Sequence, residues 1–149
     1  MTNVLEAGHV GLNVTDLSRS IQFYQQVFGF KVFSESHASN RHFAGLGLGQ
    51  KLLITLWQQS QGQFEKARPG LHHLSFQVDS VAELEQAEQR VREVGAKFLY
   101  EGIVAHSEGA KSGGIFFEDP DGIRLEIYSP GGGAEKPAPV SDAPSCGFF

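Results

Sequence analysis

Cysteine is nearly absent from this chain: Cys146 stands alone among 149 residues, so no intrachain disulfide can form. A reducing compartment is the simpler setting for such a sequence, and the cytoplasm is the expected location. No apolar run approaches the ~18 residues of a membrane span, and no basic flank followed by an apolar stretch is found near the N-terminus. Neither a span nor a signal peptide is therefore expected. Basic residues are also scarce. Twelve Lys and Arg against 17 Asp and Glu leave a formal charge of −5, which disfavours nucleic acid or an anionic membrane surface as partner. The remainder, 40% hydrophobic and 19% charged, suits one ordinary globular domain with a sizeable core.

What is present is a repetition. His9-Val10-Gly11-Leu12-Asn13-Val14 and His73-Leu74-Ser75-Phe76-Gln77-Val78 share the pattern His, apolar, small, apolar, amide, Val. After the first, Asp16 can cap a helix carrying Leu17, Ile21, Tyr24 and Phe28 at helical spacing, with Gly29 as its stop. After the second, Ser80-Val81-Ala82-Glu83 reads as a capping box, with Val81, Leu84, Ala87, Val91 and Val94 on one face and Gly95 as the stop. Matching strand starts follow at Gly29-Phe30-Lys31-Val32 and Gly95-Ala96-Lys97-Phe98. Closing strands follow at Gly49-Gln50-Lys51-Leu52-Leu53-Ile54-Thr55 and Gly122-Ile123-Arg124-Leu125-Glu126-Ile127-Tyr128.

Each copy thus reads as strand, helix and a short run of strands, an α+β arrangement with the helices on one face of a mainly antiparallel sheet. The domain is expected over residues 1–130, with modules at about 5–57 and 70–129 joined by the polar stretch 58–70. From 131 to 149 the composition turns to glycine and scattered proline, which predicts a flexible or loosely draped tail. Its apolar end, Cys146-Gly147-Phe148-Phe149, has no account at this level.

Strand alternation places Val10, Leu12 and Val14 on one face and His9, Gly11 and Asn13 on the other, and does the same for the second copy. The closing strand sets Arg124, Glu126 and Tyr128 apart from Ile123, Leu125 and Ile127. His9, His73 and Glu126 therefore fall on the polar faces of their strands. Two imidazoles and a carboxylate make a three-ligand metal set with positions left open for water, oxygen or substrate. A lone strand His is more often simply hydrogen-bonded, and a lone strand Glu solvated; repetition in register is what favours ligation. His72 has the opposite parity to His73 and reads as a structural neighbour. Arg124 or Tyr128 can meet an anionic or hydroxylated substrate.

These residues resemble the vicinal oxygen chelate superfamily, which includes glyoxalase I, fosfomycin-resistance transferases, extradiol dioxygenases and bleomycin-resistance proteins. The likeness spans about residues 5 to 129. It rests on Gly8-His9-Val10-Gly11-Leu12, Phe23-Tyr24-Gln25-Gln26-Val27-Phe28-Gly29-Phe30, His72-His73-Leu74-Ser75-Phe76 and Asp119-Pro120-Asp121-Gly122 with Glu126. The resemblance implies two βαβββ modules forming a curved, mixed sheet around a cleft, a homodimer, and a divalent metal (Fe2+, Mn2+, Zn2+ or Ni2+) on His9, His73 and Glu126. In many members the ligands come from two subunits.

Departures from the subfamilies direct the choice. Glyoxalase I uses a fourth carboxylate closing the first module, where the repeat overlay places Leu53, so that isomerisation is disfavoured. Extradiol dioxygenases match the two-His-one-Glu set and carry a His followed by a Tyr before the Asp-Pro-x-Gly turn. His106 fits the first, or is a plain loop residue; Phe116 stands at the second, and Tyr100 or Tyr128 would have to supply the hydroxyl. Lys111-Ser112 lies in the loop where fosfomycin transferases hold phosphonate, without the later basic residue. Bleomycin-type binders have lost the ligands that this chain keeps. The expected function is a metal-dependent enzyme on a small oxygenated substrate, dioxygenase-like ahead of lyase or transferase. His106 and Tyr128 are the catalytic candidates, and Arg124, Phe116, Trp57 and Phe43 the substrate wall. The alternative is a drug- or metabolite-sequestering protein of the same fold.

Overall fold

The computed structural model describes residues 4–147 and 149, which form two compact units, Met1–Gly62 and Gln63–Phe149. The boundary falls inside the polar stretch 58–70. Among the described residues no helix is long and apolar enough to cross a membrane.

In the first unit, β1 (Val10–Asn13), α1 (Leu17–Phe28), β2 (Lys31–Ala38), β3 (Arg41–Leu48) and β4 (Lys51–Trp57) build a sheet of order β1-β4-β3-β2. Only β1 and β4 run parallel. Helix α1 begins where the Asp16 carboxylate accepts from the Arg19 amide at 3.0 Å, and ends at Gly29, whose φ of 69° is the left-handed conformation that favours glycine. Its buried stripe, Leu17, Ile21, Tyr24 and Val27, covers β3 and β4 over Leu46, Ile54 and Leu56. Each such side chain contributes about 1.5–3 kcal/mol by leaving water.

The second unit repeats the order with β5 (Leu74–Gln77), α2 (Val81–Glu93), β6 (Val104–Ala105), β7 (Gly113–Glu118) and β8 (Arg124–Ser129), in a sheet of order β5-β8-β7-β6. The capping box is formed in both directions: Ser80 Oγ accepts from the Glu83 amide at 3.2 Å, and Glu83 accepts from the Ser80 amide at 3.0 Å. Leu84, Ala87 and Val91 pack against Ile115, Phe117, Leu125 and Ile127. The fold is α+β, two mixed four-stranded sheets each with one helix, as the duplicated pattern predicts.

Two details differ from the repeat overlay. The strand start expected at Gly95–Phe98 is reduced to a single bridge, Phe98 to Phe117, and the edge of the sheet is taken by the two-residue β6. The second difference is one of register. Val10 lies opposite Ile54, whereas Leu74 lies opposite Leu125. The ladders continue alike, Val14 donating to the Trp57 carbonyl and Val78 to the Tyr128 carbonyl. The counterpart of Glu126 is therefore Thr55, two residues beyond Leu53. A bulge accounts for one of these two residues: the β3–β4 pairing passes from Gly47–Leu52 to Leu46–Ile54, leaving Leu53 unopposed. Gly47 permits it, because a Cβ there would lie 1.9 Å from the Lys51 carbonyl oxygen.

Candidate metal centre

The polar face of the second unit's sheet is assembled by register. On β8, Arg124, Glu126 and Tyr128 project to the side away from α2; Ser75 of β5 lies opposite Glu126, and Phe116 of β7 flanks it on the other edge. The start of β8 is fixed by the Asp119-Pro120-Asp121-Gly122 turn. There the buried Asp119 carboxylate accepts from the amides of Asp121 and Ile123, both at 2.9 Å, and Gly122 adopts a φ of 85°.

Glu126 is only 3% exposed. Its carboxylate stands between two imidazoles, with His106 Nε2 at 2.6 Å from Oε1 and His73 Nε2 at 3.4 Å from Oε2. His106 is oriented through its other nitrogen, Nδ1, which lies 2.7 Å from the Ser112 hydroxyl. The tautomer that donates Nε2–H to Glu126 leaves Nδ1 to accept a hydrogen bond from the Ser112 hydroxyl. His73 sits one residue before β5, and its Nδ1 is 2.8 Å from that of His72. The His72 imidazole is held below its ordinary value, first by desolvation and then by the positive charges of Arg124 and His73.

The other expected residues fall as follows. Arg124, 6% exposed, donates from Nε to the His72 carbonyl at 2.8 Å and from Nη1 to the Phe149 carbonyl at 2.9 Å. Phe116 is fully buried, with its ring near those of Tyr100, His106 and Phe149. Tyr128 lies edge-on to His106, and its hydroxyl donates to Gln77 Oε1 at 2.8 Å. The second unit thus gathers His73, Glu126, His106, Arg124, Phe116 and Tyr128. His9, Phe43 and Trp57 belong to the first unit. His9 is exposed, one residue before β1; Phe43 and Trp57 are ladder partners with stacked rings 5.4 Å apart, on the wall of an open cavity of ≈ 160 Å³. Thr55, the counterpart of Glu126, accepts from Trp57 Nε1 at 2.9 Å and brings no carboxylate to that position.

Sequence reasoning did not find Cys146. Its sulfur joins atoms of His73 and Glu126 in a set whose members all lie within 4.8 Å of one another. Burial, and next the Glu126 charge, push its thiol above the ordinary range. The one signal available was the apolar end of an otherwise polar tail. Ser112 and Gln77 orient His106 and Tyr128, roles that their places in the Lys111-Ser112 loop and the repeated pattern did not reveal.

A carboxylate buried between imidazoles on a βαβββ sheet of an α+β protein is an oxygen and nitrogen donor set of the kind that first-row divalent ions accept. The Glyoxalase/Bleomycin resistance protein/Dioxygenase superfamily matches residues 6–127, and the chain belongs to that superfamily. Among relatives, it is 29% identical to catechol-2,3-dioxygenase of Bacillus subtilis over 134 residues, covering 87% of this chain but 44% of that one, so the chain spans less than half of that enzyme. It is 32% identical to lactoylglutathione lyase of Salmonella typhimurium over 128 residues, covering 80% of this chain and 88% of the lyase. The glyoxylase/bleomycin resistance protein/dioxygenase domain from Frankia sp. EAN1pec superposes with a TM-score of 0.73 at 30% identity, covering 85% of this chain and 93% of that one.

Proposed function

We propose that this chain is a metal-dependent enzyme of the vicinal oxygen chelate type acting on a small oxygenated substrate. His73 and Glu126 are the second unit's ligands, and His9, the pseudo-symmetric counterpart of His73, is the first unit's. The observation that carries this reading is Glu126: a carboxylate buried this deeply costs several kcal/mol unless it is paired, and the groups beside it are imidazole nitrogens. This donor set fits a divalent metal. Such an ion supplies Lewis acidity and, if it is iron, the capacity to activate oxygen.

Dioxygenase-like chemistry leads. His106, 2.6 Å from Glu126 and braced by Ser112, is placed to hold and pass a proton at the edge of the site. Arg124 and Phe116 share this face as the proposed substrate contacts, although both are buried, Arg124 on the His72 and Phe149 carbonyls and Phe116 beside the Phe149 ring. Of the two candidate phenols for the hydroxyl that Phe116 lacks, Tyr100 donates to the Ser145 carbonyl and Tyr128 on β8 to Gln77 Oε1. A lyase or transferase stands second, favoured by the likeness to lactoylglutathione lyase. Against an isomerisation of the glyoxalase I kind stands Thr55, which cannot act as a carboxylate base.

Elemental analysis of protein purified anaerobically without chelator, beside His73→Ala, tests the proposal. Roughly one equivalent of metal per chain, lost in the variant, supports it. Iron directs assays to oxygen uptake with catechols, and zinc, nickel or manganese to lyase and transferase substrates. No metal in either protein, even after reconstitution, sinks the enzyme reading and leaves a sequestering protein of the same fold.

A further inference from the structure

We propose that the C-terminal segment supplies a metal ligand of its own, Cys146, so that the second unit alone presents a His73, Glu126 and Cys146 donor set. The inference rests on the metal-site reading of His73 and Glu126 and adds to it a soft ligand from a segment outside the superfamily match, which ends at residue 127.

Proximity is the first argument. The three ligand atoms lie within 4.8 Å of one another. A tetrahedral ion with bonds of ~2.0–2.3 Å sets its ligand atoms about 3.3–3.6 Å apart, so a closure of about 1 Å completes the site. Thiolate, imidazole and carboxylate together are a combination that Zn2+ and Co2+ accept.

The second argument is that the segment is held on both sides of Cys146. Upstream, Gly133 donates to the Lys111 carbonyl at 2.7 Å and packs so closely on β7 that a Cβ there would lie 2.0 Å from the Ser112 carbonyl oxygen. The Ala105 amide donates to the Pro137 carbonyl at 3.0 Å. Immediately before the cysteine, Ser145 is fully buried. Its amide donates to the His106 carbonyl and its hydroxyl to the Ala105 carbonyl, both at 2.7 Å, while its own carbonyl accepts from Tyr100 at 2.9 Å. Downstream, Arg124 holds the Phe149 carbonyl, and the Phe149 ring lies against His73, Tyr100 and Phe116. Cys146 is thus delivered to Glu126 by contacts that do not involve its sulfur. Those contacts also account for Phe149 at the apolar end of the tail; Phe148 lies outside the described residues.

The test uses the full chain, kept reduced and loaded with Co2+. Cys146 is the one cysteine, so any thiolate-to-cobalt charge-transfer band in the near ultraviolet belongs to it. The band is expected in the wild type and absent from Cys146→Ser, while the serine variant still takes up cobalt through His73 and Glu126. A measurement on the wild type alone guards against misfolding of the variant. With Zn2+ at about a hundred times its Kd, alkylation of Cys146 should slow about a hundredfold, because only the metal-free thiol reacts. Cobalt bound with no such band, or with alkylation unaffected by zinc, overturns the cysteine ligand and leaves the metal site standing. No cobalt or zinc bound by the wild type overturns both.

Discussion

At the scale of single residues, the centre depends on how each side chain around Glu126 is held. His106 touches Glu126 with one nitrogen and Ser112 with the other, so its ring cannot turn without losing one of them. If it carries the proton in the reaction, His106→Ala lowers turnover by about 10²–10⁴-fold and leaves the metal content unchanged, as steady-state rates set beside elemental analysis will show. Loss of metal together with activity would instead make it a support for the carboxylate. Tyr100, hydrogen-bonded to the residue before Cys146, gives a pH-dependent prediction. Its phenol is held above its ordinary value of 10.0, by burial first and then by Cys146. The unfolded chain releases this proton near pH 10 while the folded chain keeps it. The associated stability is therefore complete below pH 10 and falls away above it. Tyr100→Phe should remove that alkaline decline, and at neutral pH cost about 1 kcal/mol for the hydrogen bond to Ser145. Denaturant unfolding of both proteins at neutral and alkaline pH measures each effect.

At the scale of elements, the helices were the most legible part, because local chemistry writes their ends. Asp16, Gly29 and the Ser80–Glu83 box act within a few residues of themselves and are found where their sequence spacing places them. Ser80→Ala should accordingly cost about 1 kcal/mol, read as a shift of the urea midpoint at constant slope. Strand pairing is less legible, since register depends on partners far along the chain. Matching glycines aligned Leu53 with Glu126, but the ladders set Thr55 there, two residues on, and the bulge beside Gly47 accounts for one of the two. The conclusion about a missing carboxylate survives only because threonine, like leucine, lacks one. The tail was illegible for a related reason. Gly133, Ser145 and Phe149 meet β6, β7 and β8 through backbone hydrogen bonds and packing that no periodicity encodes.

At the scale of the whole molecule, the proposed ligand set is divided: His9 lies in one unit, and His73 with Glu126 in the other. The superfamily resemblance carries the expectation of a homodimer whose sites draw on both subunits, and that arrangement has a consequence which a site contained within one chain lacks. His9→Ala and His73→Ala are each expected to lose tight metal binding when purified alone, since each removes one imidazole from the set. When the two are mixed after unfolding and refolded together, half of the dimers contain one of each variant. In such a dimer one site receives both altered positions and the other receives neither. About a quarter of all sites should then regain the native ligand set, and metal content and activity should recover to about that fraction. A site built within one chain leaves every site lacking one imidazole, and mixing restores nothing. The fraction recovered therefore decides whether the duplication serves one chain or two, and it does so before the substrate is known, because bound metal is the readout.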